Sequence, residues 1–136
     1  MKIKFRIFNR KALSLPELLL AVFILAFSIS SILLLFIRCG YLNEANRNLS
    51  QSAMHAQYIM EEIKNKNFTQ MQQDVNNGYW NWDSATIASK GFSPLDNETT
   101  ITQRTGTNPT TVTTTIYWTD KNGRNRNYTL SSIFTQ

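Results

Sequence analysis

An α+β fold is predicted, in which a long N-terminal helix, membrane-spanning in its first half and amphipathic in its second, packs on a small antiparallel β-sheet head. Three observations predict it. Leu18 to Ile37 runs for twenty residues without a charge. Apolar residues then recur at helical spacing as far as Ile63. Beyond Pro94 the chain turns to threonine-rich, alternating segments punctuated by glycine.

Twenty residues at about 1.5 Å each span roughly 30 Å, the hydrocarbon thickness of a bilayer, so Leu18 to Ile37 predicts a transmembrane helix. The net charge of +5 is not a nucleic-acid signal, because it is concentrated ahead of this segment. Lys2, Lys4, Arg6, Arg10 and Lys11 stand before it, and from residue 13 onward nine basic residues balance nine acidic ones. Arg38 alone follows the segment directly, so the positive-inside bias places the N-terminus in the cytoplasm and the head across the membrane. A cleaved secretory signal is disfavoured because the apolar core exceeds the usual length and no small-x-small site follows it. Ser28, Ser30 and Ser31 within the span are expected to bond back to helix carbonyls or face lipid.

Leu42, Ala45, Leu49, Ala53, Ala56, Met60 and Ile63 step by three or four residues, with Asn46, Arg47, Gln51, Gln57, Glu61 and Lys64 between them. The spacing predicts that the helix continues unbroken through Gly40 to about residue 66, with this stripe laid on the sheet.

In the head, Asn76-Asn77-Gly78 marks a turn and Tyr79, Trp80 and Trp82 form an aromatic cluster, expected as a packed loop or a subunit contact. Ten threonines fall between Thr99 and Thr115, a composition suited to a pleated surface. Val112, Thr114, Ile116 and Trp118 alternate with Thr113, Thr115 and Tyr117 as a half-buried strand. Asp120-Lys121-Asn122-Gly123 signals a hairpin, Tyr128 to Phe134 the returning strand, and Thr99 to Arg104 a third, ahead of a turn at Gly106 to Pro109. The domain reading is therefore a basic segment 1–12, an apolar helix 13–37, an amphipathic helix 38–67 and a β-sheet head 68–136. Apolar burial dictates that the sheet hide one face on the outer half of the helix.

No catalytic constellation emerges. His55 is the one histidine, Cys39 the one cysteine, and on a continuous helix they lie roughly 24 Å apart. Glu61 and Glu62 are adjacent on the helix and read as a solvated face, without the His or Asp spacing of a metal site. The expectation is a non-enzymatic protein without metal or cofactor.

The informative stretch is Lys11-Ala12-Leu13-Ser14-Leu15-Pro16-Glu17, where a carboxylate stands at the threshold of hydrocarbon. Ser14 and Glu17 have the Ser-x-x-Glu spacing of a capping box, and Pro16 in the first helical turn forfeits no hydrogen bond. The stretch also closely resembles the N-terminus of type IV pilin-like proteins, the prepilins and pseudopilins. Arg10 to Ile37 carries that resemblance in detail, with alanine at position 12 where glycine is commoner and leucine at 13 where phenylalanine is commoner. It implies a pilin-like fold and a leader, Met1 to Ala12, cut between Ala12 and Leu13 by a prepilin peptidase that also methylates the new amine of Leu13. Glu17 would then be the fifth mature residue, paired in a filament with the Leu13 amine of a neighbour.

The absence of cysteines for a C-terminal disulfide makes the chain most similar to a minor pilin or minor pseudopilin, a structural subunit of a type IV pilus, type II secretion or DNA-uptake filament. Its implied partners are the prepilin peptidase, other pilin or pseudopilin subunits through the N-terminal helix, and an inner-membrane assembly platform. Its implied location is the cytoplasmic membrane, single-pass with the head periplasmic or extracellular, and then a filament; no direct nucleic-acid contact is implied. The rival reading is an uncleaved single-pass membrane protein whose exported head binds a ligand or envelope partner.

The mass of the native protein separates the two, since cleavage removes the first twelve residues. Substituting Ala12→Asp should block processing, leaving a chain that still carries residues 1–12 in the mass spectrum. A mature chain beginning at Leu13 in that variant would refute the assigned cut.

Overall fold

The computed structural model describes residues 14–136 and orders six elements: α1 (Leu15–Lys64), α2 (Phe68–Asn76), α3 (Ser84–Ser89), β1 (Thr99–Thr105), β2 (Thr110–Thr119) and β3 (Asn125–Phe134). Two compact units divide the chain between Tyr41 and Leu42. The layout is α+β, a long apolar N-terminal helix and a small antiparallel sheet.

In the first unit α1 is exposed along the whole apolar stretch from Leu18 to Ile37, with only Ser31 half-buried. The three serines there do not break it. Ser28, Ser30 and Ser31 each donate to the carbonyl four residues earlier, those of Ile24, Ala26 and Phe27, at 2.8 Å. The hydroxyls are thereby satisfied without a partner outside the helix.

In the second unit the strands lie in the order β1-β2-β3, all antiparallel, with Thr99 opposite Tyr117 and Thr110 opposite Phe134. Gly106 closes the β1–β2 turn at φ +85°, where an added Cβ would meet the Pro109 carbonyl oxygen at 2.7 Å. Asp120 organises the β2–β3 connection: one carboxylate oxygen accepts the N–H groups of Asn122 and Arg124, both at 2.9 Å, while Gly123 sits at φ +72°. The core gathers Ala56, Ile59, Met60 and Ile63 of α1, Met71 and Val75 of α2, Ile87 of α3, Val112, Ile116 and Trp118 of β2, and Trp80, Trp82 and Leu95 between elements. Burying each large side chain of this set stabilises the fold by about 2 kcal/mol.

Three sequence expectations are corrected here. The stripe from Leu42 to Ile63 is not the buried face along its whole length: Leu42 and Leu49 are 64% and 46% exposed, whereas Asn48, Ser52 and His55 are buried. The line that faces inward runs through residues 48, 52, 55, 59 and 63, and apolar periodicity misses it because its first half is polar. Burial is tolerated there because Ser52 Oγ donates to the Leu49 carbonyl at 2.9 Å and His55 finds a carboxylate. Glu62 is not a solvated face either, since it accepts the indole N–H of Trp80 at 2.9 Å and lies 3.4 Å from Lys90 Nζ. Finally, the head is not sheet alone. Asn67 caps α2 by accepting the Gln70 N–H, and Asp83 caps α3 by accepting the Thr86 N–H, each at 2.8 Å. These local caps start two short helices where no long apolar period announces them.

The Asp83 carboxyl is held below the usual aspartate range by the Thr86 hydroxyl and then the Thr86 N–H. The Asp120 carboxyl is held low first by the Arg124 N–H. Carboxylates depressed in the fold contribute stability above their unfolded value, near 3.8, and lose it as pH falls through the lower folded value. Thermal stability of the full chain in detergent should therefore drop as pH falls below about 4. Asp83→Asn keeps a capping oxygen but cannot titrate, so the drop should be shallower in that variant; an unchanged acid profile would contradict the assignment.

Candidate functional site

Glu17 lies in the first turn of α1, exposed, where the helix dipole favours a negative charge. Its Oε2 accepts the backbone N–H of Ser14 at 3.2 Å and the Ser14 hydroxyl at 3.2 Å. The Ser14 carbonyl accepts the Leu18 N–H at 3.1 Å, the first bond of the helix. This is the backward-reaching half of a capping box: the glutamate returns to the cap residue, while the Ser14 hydroxyl donates to the carboxylate rather than accepting from the backbone. One carboxylate oxygen, Oε1, has no partner among the described residues. Ala12 and Leu13, the two processing residues, lie outside the described residues.

Immediately after Glu17 comes a helix surface of leucine, isoleucine, valine and phenylalanine, including Phe23 at 69% and Phe36 at 72% exposure. A contiguous apolar surface of this size is compatible with lipid or other apolar helices around it. Among the described residues one helix is long and apolar enough to cross a membrane. Cys39 is a free, exposed thiol.

In the head, the aromatic cluster is a packed loop. Trp80 is fully buried, Trp82 donates its indole N–H to the Tyr79 carbonyl at 3.0 Å, and only Tyr79 is exposed. Its rings are therefore not a stacking platform for bases.

The feature that sequence reasoning missed is a buried pair. His55 Nδ1 lies 2.7 Å from Glu98 Oε1, and both side chains are all but excluded from solvent. Glu98 Oε2 accepts the Leu95 N–H at 2.6 Å, so both carboxylate oxygens are used. Phe92 meets the imidazole edge-on at 5.1 Å, and His55 Nε2 is buried without a partner among the described residues. Among the described residues no hydroxyl or thiol stands within hydrogen-bond reach of Nε2, and the pair ties α1 to the segment leading into β1. The two residues are 43 positions apart, and the available signal was Ile59, which with Ile63 continues the helical line of His55.

An open cleft in the head is bordered by Glu44, Arg47, Asn48, Asp96 and Lys121, with Lys121 Nζ 3.0 Å from Glu44. Its charges alternate in sign. Among the described residues no group of three or more His, Cys, Asp or Glu side chains is placed to hold a metal ion. No family model, curated protein or solved structure matches the chain.

Removing one member of a buried hydrogen-bonded pair costs about 3 kcal/mol, because the groups it bonded are left unsatisfied. Glu98→Ala strands both His55 and the Leu95 N–H and should lower unfolding stability by roughly that amount. Glu98→Gln keeps an acceptor and should cost less. Equal losses for the two variants in denaturant melts would argue against a polar role for Glu98.

Proposed function

We propose that the protein is a pilin-like structural subunit, held in the cytoplasmic membrane by the apolar part of α1 and built from there into a helical filament. The observation that carries this reading is Glu17, a carboxylate with one oxygen lacking a partner among the described residues, at the head of twenty uncharged and almost wholly solvent-exposed residues. Local capping accounts for the other oxygen and for the start of the helix. It does not account for a charge placed where assembly or insertion would bring it next to hydrocarbon, since an unpaired carboxylate there costs several kcal/mol.

The amine of a neighbouring subunit's first mature residue, created by cutting between Ala12 and Leu13, is the complementary charge. Attraction between that amine and Glu17 would penalise any subunit docked in the wrong axial register, while the exposed leucine, isoleucine and phenylalanine side chains supply non-directional packing. The same cut removes all five excess positive charges. Orientation follows from those charges, with the N-terminus cytoplasmic and the sheet-bearing head on the far side. The partners are a prepilin peptidase, other pilin or pseudopilin subunits and an inner-membrane platform; the particular machine is a pilus, a type II secretion system or a DNA-uptake system. The function is mechanical and structural rather than catalytic.

Glutamine at position 17 preserves an oxygen for the Ser14 N–H but removes the charge. Glu17→Gln should therefore leave the folded head and membrane insertion intact and reduce co-purification with filaments by about tenfold or more. Wild-type incorporation of this variant would refute the pairing, and loss of membrane insertion would show that Glu17 serves the helix start instead.

A further inference from the structure

The two outer edges of the sheet are finished differently. Along β1 the edge is closed by the chain itself: the Thr100 N–H donates to the Trp82 carbonyl and the Thr102 N–H to Asn81 Oδ1, both at 2.8 Å, and Asp83 bridges Thr99. Along β3, ten residues long, no backbone group bonds outside the β2 ladder among the described residues.

The register identifies which groups are left open. Because the amides of Thr100 and Thr102 point away from β2, the odd-numbered residues of β1 make its ladder bonds, and pairing of Ile101 with Thr115 assigns the odd residues of β2 to that side. The even residues of β2 then bond β3 through the pairs Val112–Ser132, Thr114–Leu130 and Ile116–Tyr128. Asn127, Thr129, Ser131 and Ile133 are left with both N–H and C=O directed outward. The side chains agree: Thr113 and Ser131 hydroxyls meet at 2.9 Å and Thr115 and Thr129 at 3.2 Å, the close approach of non-hydrogen-bonded pairs.

The same side of the head is also incompletely covered. Tyr128, Leu130 and Phe134 pack against the core yet remain only half-buried, whereas Val112, Ile116 and Trp118 of the adjoining strand are buried. Open edges of this length are ordinarily blunted by lysine, proline or a bulge, and residues 127–135 contain no charge and no proline.

We propose that the outer edge of β3 accepts one additional β-strand from a partner polypeptide, an extended uncharged segment alternating apolar residues with small polar ones. Its backbone would bond Asn127, Thr129, Ser131 and Ile133, its apolar row would cover Tyr128, Leu130 and Phe134, and its polar row would continue the hydroxyl face of Thr113, Thr115, Thr129 and Ser131. The chain's own N-terminal segment is a poor occupant, with five positive charges in its first eleven residues against an uncharged edge. A second β3 is also poorer, because centred antiparallel pairing would lay Arg126, already bonded to Asp120 at 3.1 Å, against Phe134. The inference is independent of the reading of Glu17.

The test uses the full chain in detergent micelles and a blocked nine-residue peptide of alternating valine and threonine as the probe, with amide hydrogen exchange followed by NMR. At millimolar peptide the amides of Asn127, Thr129, Ser131 and Ile133 should exchange at least tenfold more slowly, with Tyr128 and Leu130 unchanged. Ser131→Pro removes one outward N–H and no ladder bond, so it should retain β2–β3 cross-strand signals and lose most of the protection. The proposal is overturned by the absence of protection at those four amides, by equal protection in Ser131→Pro, or by a dimer whose β3 amides are already protected without peptide.

Discussion

The face of α1 that runs through Ser52, His55, Ile59 and Ile63 must be covered, and the architecture of the head follows from how it is covered. Ile59 and Ile63 are nearly or fully excluded from solvent and share one core with Val112 and Ile116 of the central strand. A three-stranded sheet does not close on itself and needs a second layer, which the helix provides. The two short helices and the Trp80–Trp82 loop fill the remaining flank, and Glu62 and Lys90 anchor that loop to the helix with charge at its rim.

Burial of polar groups along the same face makes the packing directional. An apolar stripe meeting an apolar sheet tolerates sliding, because hydrophobic burial has no preferred register. A histidine that must meet Glu98, and a glutamate that must also meet the Leu95 N–H, admit one arrangement. The cost of missing it is an uncompensated buried polar group, which is why the pair acts as a positional lock even though its net contribution to stability is modest.

The first half of α1 has the character of a helix suited to a different solvent. Its serines turn their hydroxyls back onto the helix, its apolar side chains are exposed all round, and its one flanking acid is half-satisfied by Ser14. Each of these suits a helix whose surroundings offer no water to hydrogen-bond. In contrast to that closed backbone, β3 presents a row of open backbone groups next to half-covered Tyr128, Leu130 and Phe134.

The sequence alone determined the elements whose signal is local or periodic. The uncharged run to Ile37, the continuity of the helix through Gly40, the alternation from Val112 to Trp118 and the turns at Gly106 and Gly123 were all legible, because helical period, strand period and positive φ are properties of neighbouring residues. The Ser14–Glu17 contact was legible for the same reason. Tertiary structure decided what depends on distant residues. It chose the line of Asn48, Ser52 and His55 over that of Leu42 and Leu49, since His55 is buried only where a partner from elsewhere in the chain, Glu98, comes to meet it. It also closed one sheet edge and left the other open, because strand order and the path of residues 81–83 exist only once the chain has folded.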